Sequence, residues 1–161
     1  MKSHPDLDPL DKTDTQLLSI LSTNASLSYV ELGKMLYVSS GTIHVRIKKL
    51  THLGYIKGTI AKLDYSKVGF DICAFLGIYL EKSNMYQDVK KDLESIPEII
   101  EAHYTTGNYS IFLKILCRDT DHLREILSKK IQSIKGIQRT ETFISLEEAI
   151  LRPLILTEIK R

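Results

Sequence analysis

Apolar positions follow two different patterns along this chain. In the first stretch, Leu10, Leu17, Leu18 and Leu21 recur at helical spacing, with Asp11 as the expected N-cap and Asn24 as the expected end. A second helix is predicted from Ser28, a capping-box candidate with Glu31 three residues on, to Leu36. Gly33 inside it costs roughly 1 kcal/mol of helix propensity against alanine, which predicts a close helix crossing. After a turn at Tyr37–Ser40 comes a third helix, Gly41–Leu53, capped by Ser39 or Ser40. Ile43, Ile47, Leu50 and Leu53 share one stripe of it, while Gly41, His44, Val45, Lys48 and His52 point the other way. Gly54 is the expected C′ glycine. Two short runs around Gly58, spanning Tyr55–Leu63, predict a small hairpin or wing. Two helices joined by a tight turn, the second amphipathic and basic outside, have helix-turn-helix geometry.

The pattern changes after residue 70. Ile72–Leu80 is a nearly continuous apolar run, which predicts a central strand. Met85–Ile96 reads as a helix with Val89 and Leu93 inward, stopped by Pro97. Ile99–Thr105 and Tyr109–Cys117 are strands flanking Thr106-Gly107-Asn108, a predicted hairpin. A helix over Thr120–Ile134 and a fourth strand over Ile137–Leu146 follow, the strand alternating Gln138, Thr140 and Thr142 against Arg139, Glu141 and Phe143. The order βαββαβ is the ferredoxin-like signature. The expected fold is therefore α+β: a winged helix-turn-helix over 1–63, then a ferredoxin-like domain over 64–161 ending in a C-terminal arm. Helices cover only one face of such a sheet, so the other suggests a homodimer built sheet to sheet. The arm holds Arg152-Pro153, which interrupts any helix, and apolar Leu151, Leu154, Ile155 and Leu156, which read as a strand or arm packing on a neighbour.

The 161 residues are 43% hydrophobic and 26% charged, which excludes a disordered or collagen-like chain. No apolar run approaches the roughly 18–20 residues of a membrane span. The polar, acidic N-terminus reads as no signal peptide, and two cysteines are too few for a disulfide scaffold. A cytoplasmic protein with reduced thiols is the expectation.

The net charge of +2 hides an uneven distribution. Residues 28–62 carry Lys34, Arg46, Lys48, Lys49, Lys57 and Lys62 against Glu31 alone, a net of +5. Clustered charge of this kind is a candidate phosphate footprint, since polyanion affinity follows local charge and not the total. On charge alone, a solvated face without a partner fits as well. Taken with the helices, double-stranded DNA is the expected partner. Backbone N–H groups at the Ser39–Thr42 helix start (Ser39, Ser40, Gly41, Thr42) can hold a phosphate. Val45 can touch a thymine methyl, and His44 and Lys48 can reach base-edge acceptors. Lys49, Lys57 and Lys62 suit phosphates, which set register without reading sequence. Arg46, beside the apolar stripe, suits an internal ion pair with an N-terminal aspartate as well as it suits a phosphate.

No catalytic constellation is visible. The five histidines are scattered, with no HExxH, no G-x-S-x-G and no glycine-rich phosphate loop. Cys73 and Cys117 fall in apolar strands, where inert core thiols are expected. No metal site or resident cofactor is expected, and the chain reads as no enzyme. The rival, a small α+β enzyme with a helical appendage, lacks its catalytic groups.

Leu10-Asp11-x-x-Asp14, Glu31-Leu32-Gly33, Val38-Ser39, Arg46-Ile47-x-x-Leu50 and Gly54-Tyr55-Ile56-x-Gly58 resemble the DNA-binding half of the Lrp/AsnC ("feast/famine") transcription regulators. The βαββαβ half is similar to that family's effector domain. The likeness is greatest to the asparagine-responsive branch, through Gly41–Arg46, Tyr104–Phe112 and Gln138–Thr142. The resemblance implies dimers assembling into octamers, with a free amino acid, asparagine in this branch, bound between dimers. It places that effector at Thr106, Gly107, Asn108, Tyr109 and Ser110 and at Gln138, Thr140 and Thr142. Loop N–H groups suit an α-carboxylate, and the side chains of Asn108, Ser110, Gln138 and Thr140 suit an amide. Many relatives place an aspartate where Ser110 stands, so the α-ammonium partner here is open between Glu141 and a carbonyl. Without the family, the loop reads as an ordinary type I′ hairpin. The expected function is a sequence-specific DNA-binding regulator responsive to an amino acid; the alternative is a nucleoid-type architectural protein with little sequence preference.

Overall fold

Reciprocal side-chain caps start the first two helices of the computed structural model, which describes residues 10–156. The Asp11 carboxylate accepts the Asp14 N–H at 2.7 Å, and Asp14 accepts the Asp11 N–H in return, opening α1 (Lys12–Thr23). Ser28 and Glu31 cap α2 (Tyr29–Leu36) in the same way. Ser39 caps α3 (Ser40–His52). Gly54, at φ +77°, lets Tyr55 and Gly54 donate back to Leu50 and Thr51, a Schellman closure. Tyr37 ends α2 in the left-handed region, which costs a non-glycine residue about 1–2 kcal/mol. Leu17, Leu32, Ile43 and Leu50 meet as a fully buried core. Each such side chain contributes about 1.5–3 kcal/mol on burial.

Gly33 is needed for closeness, but to its own turn and not to a crossing helix. A Cβ there would lie 2.6 Å from the Val38 carbonyl oxygen, and Val38 donates to the Gly33 carbonyl. The expected wing is absent: residues 56–64 form no strand. Tyr55 and Ile56 turn into the helical core, while Ile60 is 93% exposed with no apolar partner to close upon. An isolated two-stranded hairpin is marginal in water, so nothing holds these runs together.

The second unit spans Leu63–Ala149. Its elements are β1 (Ile72–Leu80), α4 (Tyr86–Glu94), β2 (Ile99–Tyr104), β3 (Ile111–Cys117), α5 (Thr120–Glu125) and β4 (Ile137–Ile144). The sheet order is β2-β3-β1-β4 with antiparallel neighbours throughout, the expected ferredoxin-like arrangement. Alternate residues Ala74, Leu76 and Ile78 of β1 and Ile111, Leu113 and Ile115 of β3 are buried with Val89, Leu93, Leu123, Ile126 and Ile131 of the helical layer. Phe75, Tyr79, Phe112 and Phe143 share the other face, where Phe75 and Phe112 stack at 5.9 Å.

The helix expected as regular to Ile134 instead passes into a π-helical turn, Ile126–Ile131. Ile126 and Ile131 are five residues apart and both fully buried; the wider turn brings them onto one face. The tail over residues 150–156 forms neither helix nor strand. Beyond residue 149 it groups with the N-terminal unit, where Leu156 lines an apolar cavity with Leu10, Leu18, Leu21, Leu32 and Ile47. The other apolar residues of the arm, Ile150, Leu151, Leu154 and Ile155, are exposed. The N-terminal readings at residues 1–9 and the arm's last five residues lie outside the described residues. No helix among the described residues is long and apolar enough to cross a membrane.

Candidate functional site

The outward side of α3 is presented much as its periodicity predicts. Gly41, His44, Lys48 and Lys49 are exposed, and Val45 is 65% exposed although apolar. Ile43 and Leu50 anchor the opposite stripe at 0% and 1%, fixing the helix's rotation. The Tyr29 ring of α2 lies 5.6 Å from the His44 ring and steadies it at the helix surface. Ser39, Ser40, Lys57 and Lys62 are exposed as well.

One expected phosphate contact needs correction, and one open reading gains a geometry. The Thr42 N–H is already donated to Ser39 Oγ at 3.0 Å, and the two hydroxyls lie 2.9 Å apart. The N-cap that starts the helix therefore occupies that donor. Arg46 goes to the ion pair: its Nη1 donates to Asp11 Oδ2 and Asp14 Oδ1, each at 2.6 Å. Asp14 is only 4% exposed and has this guanidinium as its charge partner, which is the ion-pair reading of Arg46. Burial pushes the Asp11 carboxyl up, but the Asp14 N–H and Arg46 outweigh it and hold it below the ordinary range. Arg46 is raised in turn by its hydrogen bonds to Asp11 and Asp14. Arg46 ties α3 to the start of α1.

Sequence patterning gave no reason to single out Tyr37. It follows the last turn of α2 with φ +57° and its side chain is 95% exposed.

In the second unit, the loop between β2 and β3 is not a type I′ turn. Gly107 has φ +113°, but Asn108 does not share a positive φ, and I′ requires both. The loop closes through Thr105 N–H to the Ser110 carbonyl at 3.1 Å and Thr105 Oγ1 to the Tyr109 carbonyl at 2.6 Å. Ser110 then joins β1, donating to the Ile78 carbonyl at 2.8 Å. Thr106, Gly107 and Asn108 stand exposed at the tip.

Tyr109 folds back across the open sheet face, over Gly77, where any Cβ would collide with its ring. Its hydroxyl donates to Glu141 Oε2 at 2.8 Å, and the Tyr79 hydroxyl donates to Glu141 Oε1 at 3.1 Å. Arg139 lies 3.3 Å from the same carboxylate, and its guanidinium stacks 3.8 Å from the Tyr79 ring centroid. The Tyr109 hydroxyl pKa is raised by the Glu141 bond and then by burial; that of Tyr79 is raised by burial and then by Glu141.

The expected strand partners are not all brought here. Thr140 and Thr142 pair with Ile78 and Leu76, on the helix-covered face, where Gln132 donates to Thr140 Oγ1 at 3.4 Å. Gln138 sits at a register shift beside Tyr79 and Leu80. The period of two separates these residues from Tyr109 and puts Arg139 and Glu141 beside it. Tyr79 was missed, although its alternation with Phe75 and Gly77 along β1 was a readable signal. Among the described residues, no group of histidine, cysteine, aspartate or glutamate could hold a metal. Burial pushes the Cys117 thiol up to about 11 and raises Cys73 as well, so neither is a ready nucleophile.

Comparison with known proteins gives the same two-part division. Residues 10–51 match the AsnC-type helix-turn-helix domain, and residues 73–155 match the Lrp/AsnC ligand binding domain. Regulatory protein AsnC of Haemophilus influenzae is 46% identical over 145 residues, covering 90% of this chain and 97% of that protein. Regulatory protein AsnC of Escherichia coli strain K12 is 43% identical over 145 residues, covering 90% of this chain and 95% of its own. The solved structure of the Escherichia coli AsnC superposes with a TM-score of 0.85 at 42% identity, covering 91% of this chain and 98% of that one. A transcriptional regulator from Neisseria meningitidis, solved as its L-Met complex, shares the fold at a TM-score of 0.86 and 23% identity, over 89% of this chain and 94% of its own.

Proposed function

The chain belongs to the Lrp/AsnC family, as a transcriptional regulator with a DNA-binding helix-turn-helix domain and an amino-acid-binding domain, and from that premise we propose that it binds specific DNA sites under the control of asparagine. The observation that carries this reading is the outward face of α3. Ile43 and Leu50 of its apolar stripe are fully buried, yet Val45 stays exposed between His44 and Lys48. A methyl-sized apolar contact flanked by hydrogen-bonding groups suits base edges in the major groove. Lys49, Lys57 and Lys62, with the Ser39–Gly41 helix start, supply phosphate contacts around it.

The effector binds at the β2–β3 loop. Backbone N–H groups at Gly107 and Asn108 meet the α-carboxylate, and Glu141, braced by Tyr109 and Tyr79, meets the α-ammonium. Ser110 and Asn108 read the side-chain amide. The likeness of Gly41–Arg46, Tyr104–Phe112 and Gln138–Thr142 to the asparagine-responsive branch supports asparagine, and the L-Met complex of a fold neighbour supports an amino acid in this domain. The protein works as a homodimer joined through the open sheet face and assembles further to an octamer. Ligand that favours one assembly changes DNA affinity, and by reciprocity DNA changes ligand affinity by the same factor. A dimer sets its two α3 helices on half-sites about 34 Å apart or a multiple of that.

A footprinting titration with and without asparagine tests the proposal. Discrete protected sites that shift with asparagine support it. Uniform coverage at low salt points to an architectural DNA-binding protein, and discrete sites indifferent to asparagine overturn the choice of effector.

A further inference from the structure

Resting on the reading of α3 as the groove-facing helix, we propose that Tyr37 contacts DNA, its phenol donating to a backbone phosphate beside that helix. Among the described residues, Tyr37 alone outside the glycines has a positive φ, at +57° with ψ +39°. Glycine or asparagine takes such a position after a helix with little strain, whereas a Cβ crowds the neighbouring carbonyl. Burial does not compensate. The side chain is 95% exposed, and the phenol makes no hydrogen bond to any described residue. Capping does not need it either, because the end of α2 is closed by backbone N–H groups of Tyr37 and Val38 on the Gly33 carbonyl. A residue that is strained, exposed and unused by the fold points to a role outside the fold.

Its position says which role. Tyr37 lies two residues before Ser39, the N-cap of α3, in the turn of the helix-turn-helix. When the second helix enters the major groove, the first crosses the backbone, and the turn between them lies next to phosphates. Lys34, exposed in the last turn of α2, adds positive charge nearby in sequence. A phenol donates one strong hydrogen bond to a phosphate oxygen and lays its ring against a sugar, with only two side-chain torsions to freeze. It adds affinity without adding charge.

The test uses the full chain, a fluorescent mixed-sequence duplex and anisotropy titrations across a range of salt. Tyr37→Phe removes the hydroxyl alone, and Tyr37→Gly removes the ring and relieves the backbone. Tyr37→Phe is expected to weaken binding about threefold to tenfold on every sequence tested. Its salt slope stays unchanged, since no charge is lost. Tyr37→Gly is expected to bind at least as weakly as Tyr37→Phe while its Tm rises. A raised Tm with native DNA affinity overturns the proposal. So does native DNA affinity combined with altered self-association in sedimentation, which gives the ring to a protein contact. If the unsubstituted protein does not bind the duplex at all, the DNA-binding reading falls first and this one with it.

Discussion

Arg46 Nη1 lies 2.6 Å from Asp14 Oδ1, joining α3 to a carboxylate that also caps α1 and is 4% exposed. One side chain thus links α3 to the helix that opens the domain. The contact gives a basic residue on α3 two carboxylate partners within its own domain.

Arg46→Ala is expected to destabilise the helix-turn-helix unit by about 3 kcal/mol, the lower end for breaking a buried pair, because the Arg46 side chain is still 26% exposed. Urea unfolding monitored by helical circular dichroism reads this. Below the unfolding range, the salt slope of DNA binding stays as in the native protein; a slope reduced by about one unit returns Arg46 to the phosphate set.

The same cluster sets an acid limit. Asp11 is held below its ordinary value of 3.8 in the folded chain, so its contribution is fully present above that value. It is lost as pH falls through the lower folded value, because protonation then favours the unfolded chain. Thermal scans from pH 6 downward should show an acid loss that is smaller in Arg46→Ala. An identical pH profile in both proteins removes Asp11 from the effect.

Lys48→Ala is expected to weaken DNA binding and to reduce the slope of log affinity against log salt by up to about 0.9 if the ammonium also neutralises a phosphate. If Lys48 reads base edges alone, the affinity loss is confined to particular sequences and the slope is kept. Comparing a footprinted site with mixed-sequence DNA separates the two, and no loss on either removes Lys48 from the interface.

Gly77→Ala places a methyl group into the Tyr109 ring. The ring must move, at a cost of about 1–3 kcal/mol typical of overpacking, and its bond to Glu141 is lost. The thermal shift produced by asparagine should disappear while DNA binding persists. Tyr109→Phe keeps the ring and removes only the hydrogen bond, and should weaken the shift without abolishing folding. A full asparagine response in both variants places the effector elsewhere.

Cys117 should resist iodoacetamide at pH 8 in the folded protein, since burial pushes its thiol up to about 11. Peptide mapping after timed labelling checks this, with the urea-unfolded chain as the reactive control. Rapid native labelling would show that the β3 core opens readily.

Much of the fold was legible in the chain because its causes are local. Asp11, Ser28 and Ser39 announce helix starts through a hydroxyl or carboxylate within reach of an N–H three residues on. Gly54 announces an end, and β-type runs separated by helical periods announce a split β-α-β order. The outward set on α3 was legible for the same reason, since a period of 3.6 fixes which residues oppose Ile43 and Leu50. The wing failed because Tyr55 and Ile56 found a better apolar partner in the helical core than across their own hairpin.

Spacing along the chain is enough to say which residues begin helices, which share a face, and where charge gathers. Tertiary structure decided the pairings. Arg46 had an aspartate and a phosphate as equal candidates until 35 residues of chain folded back to bring Asp11 within 2.6 Å. Tyr109 reaches Glu141 across 32 residues only because β1 lies between β3 and β4 with Gly77 at the crossing point. Such contacts depend on where distant segments meet, a property of the whole packed core, so no local pattern encodes them.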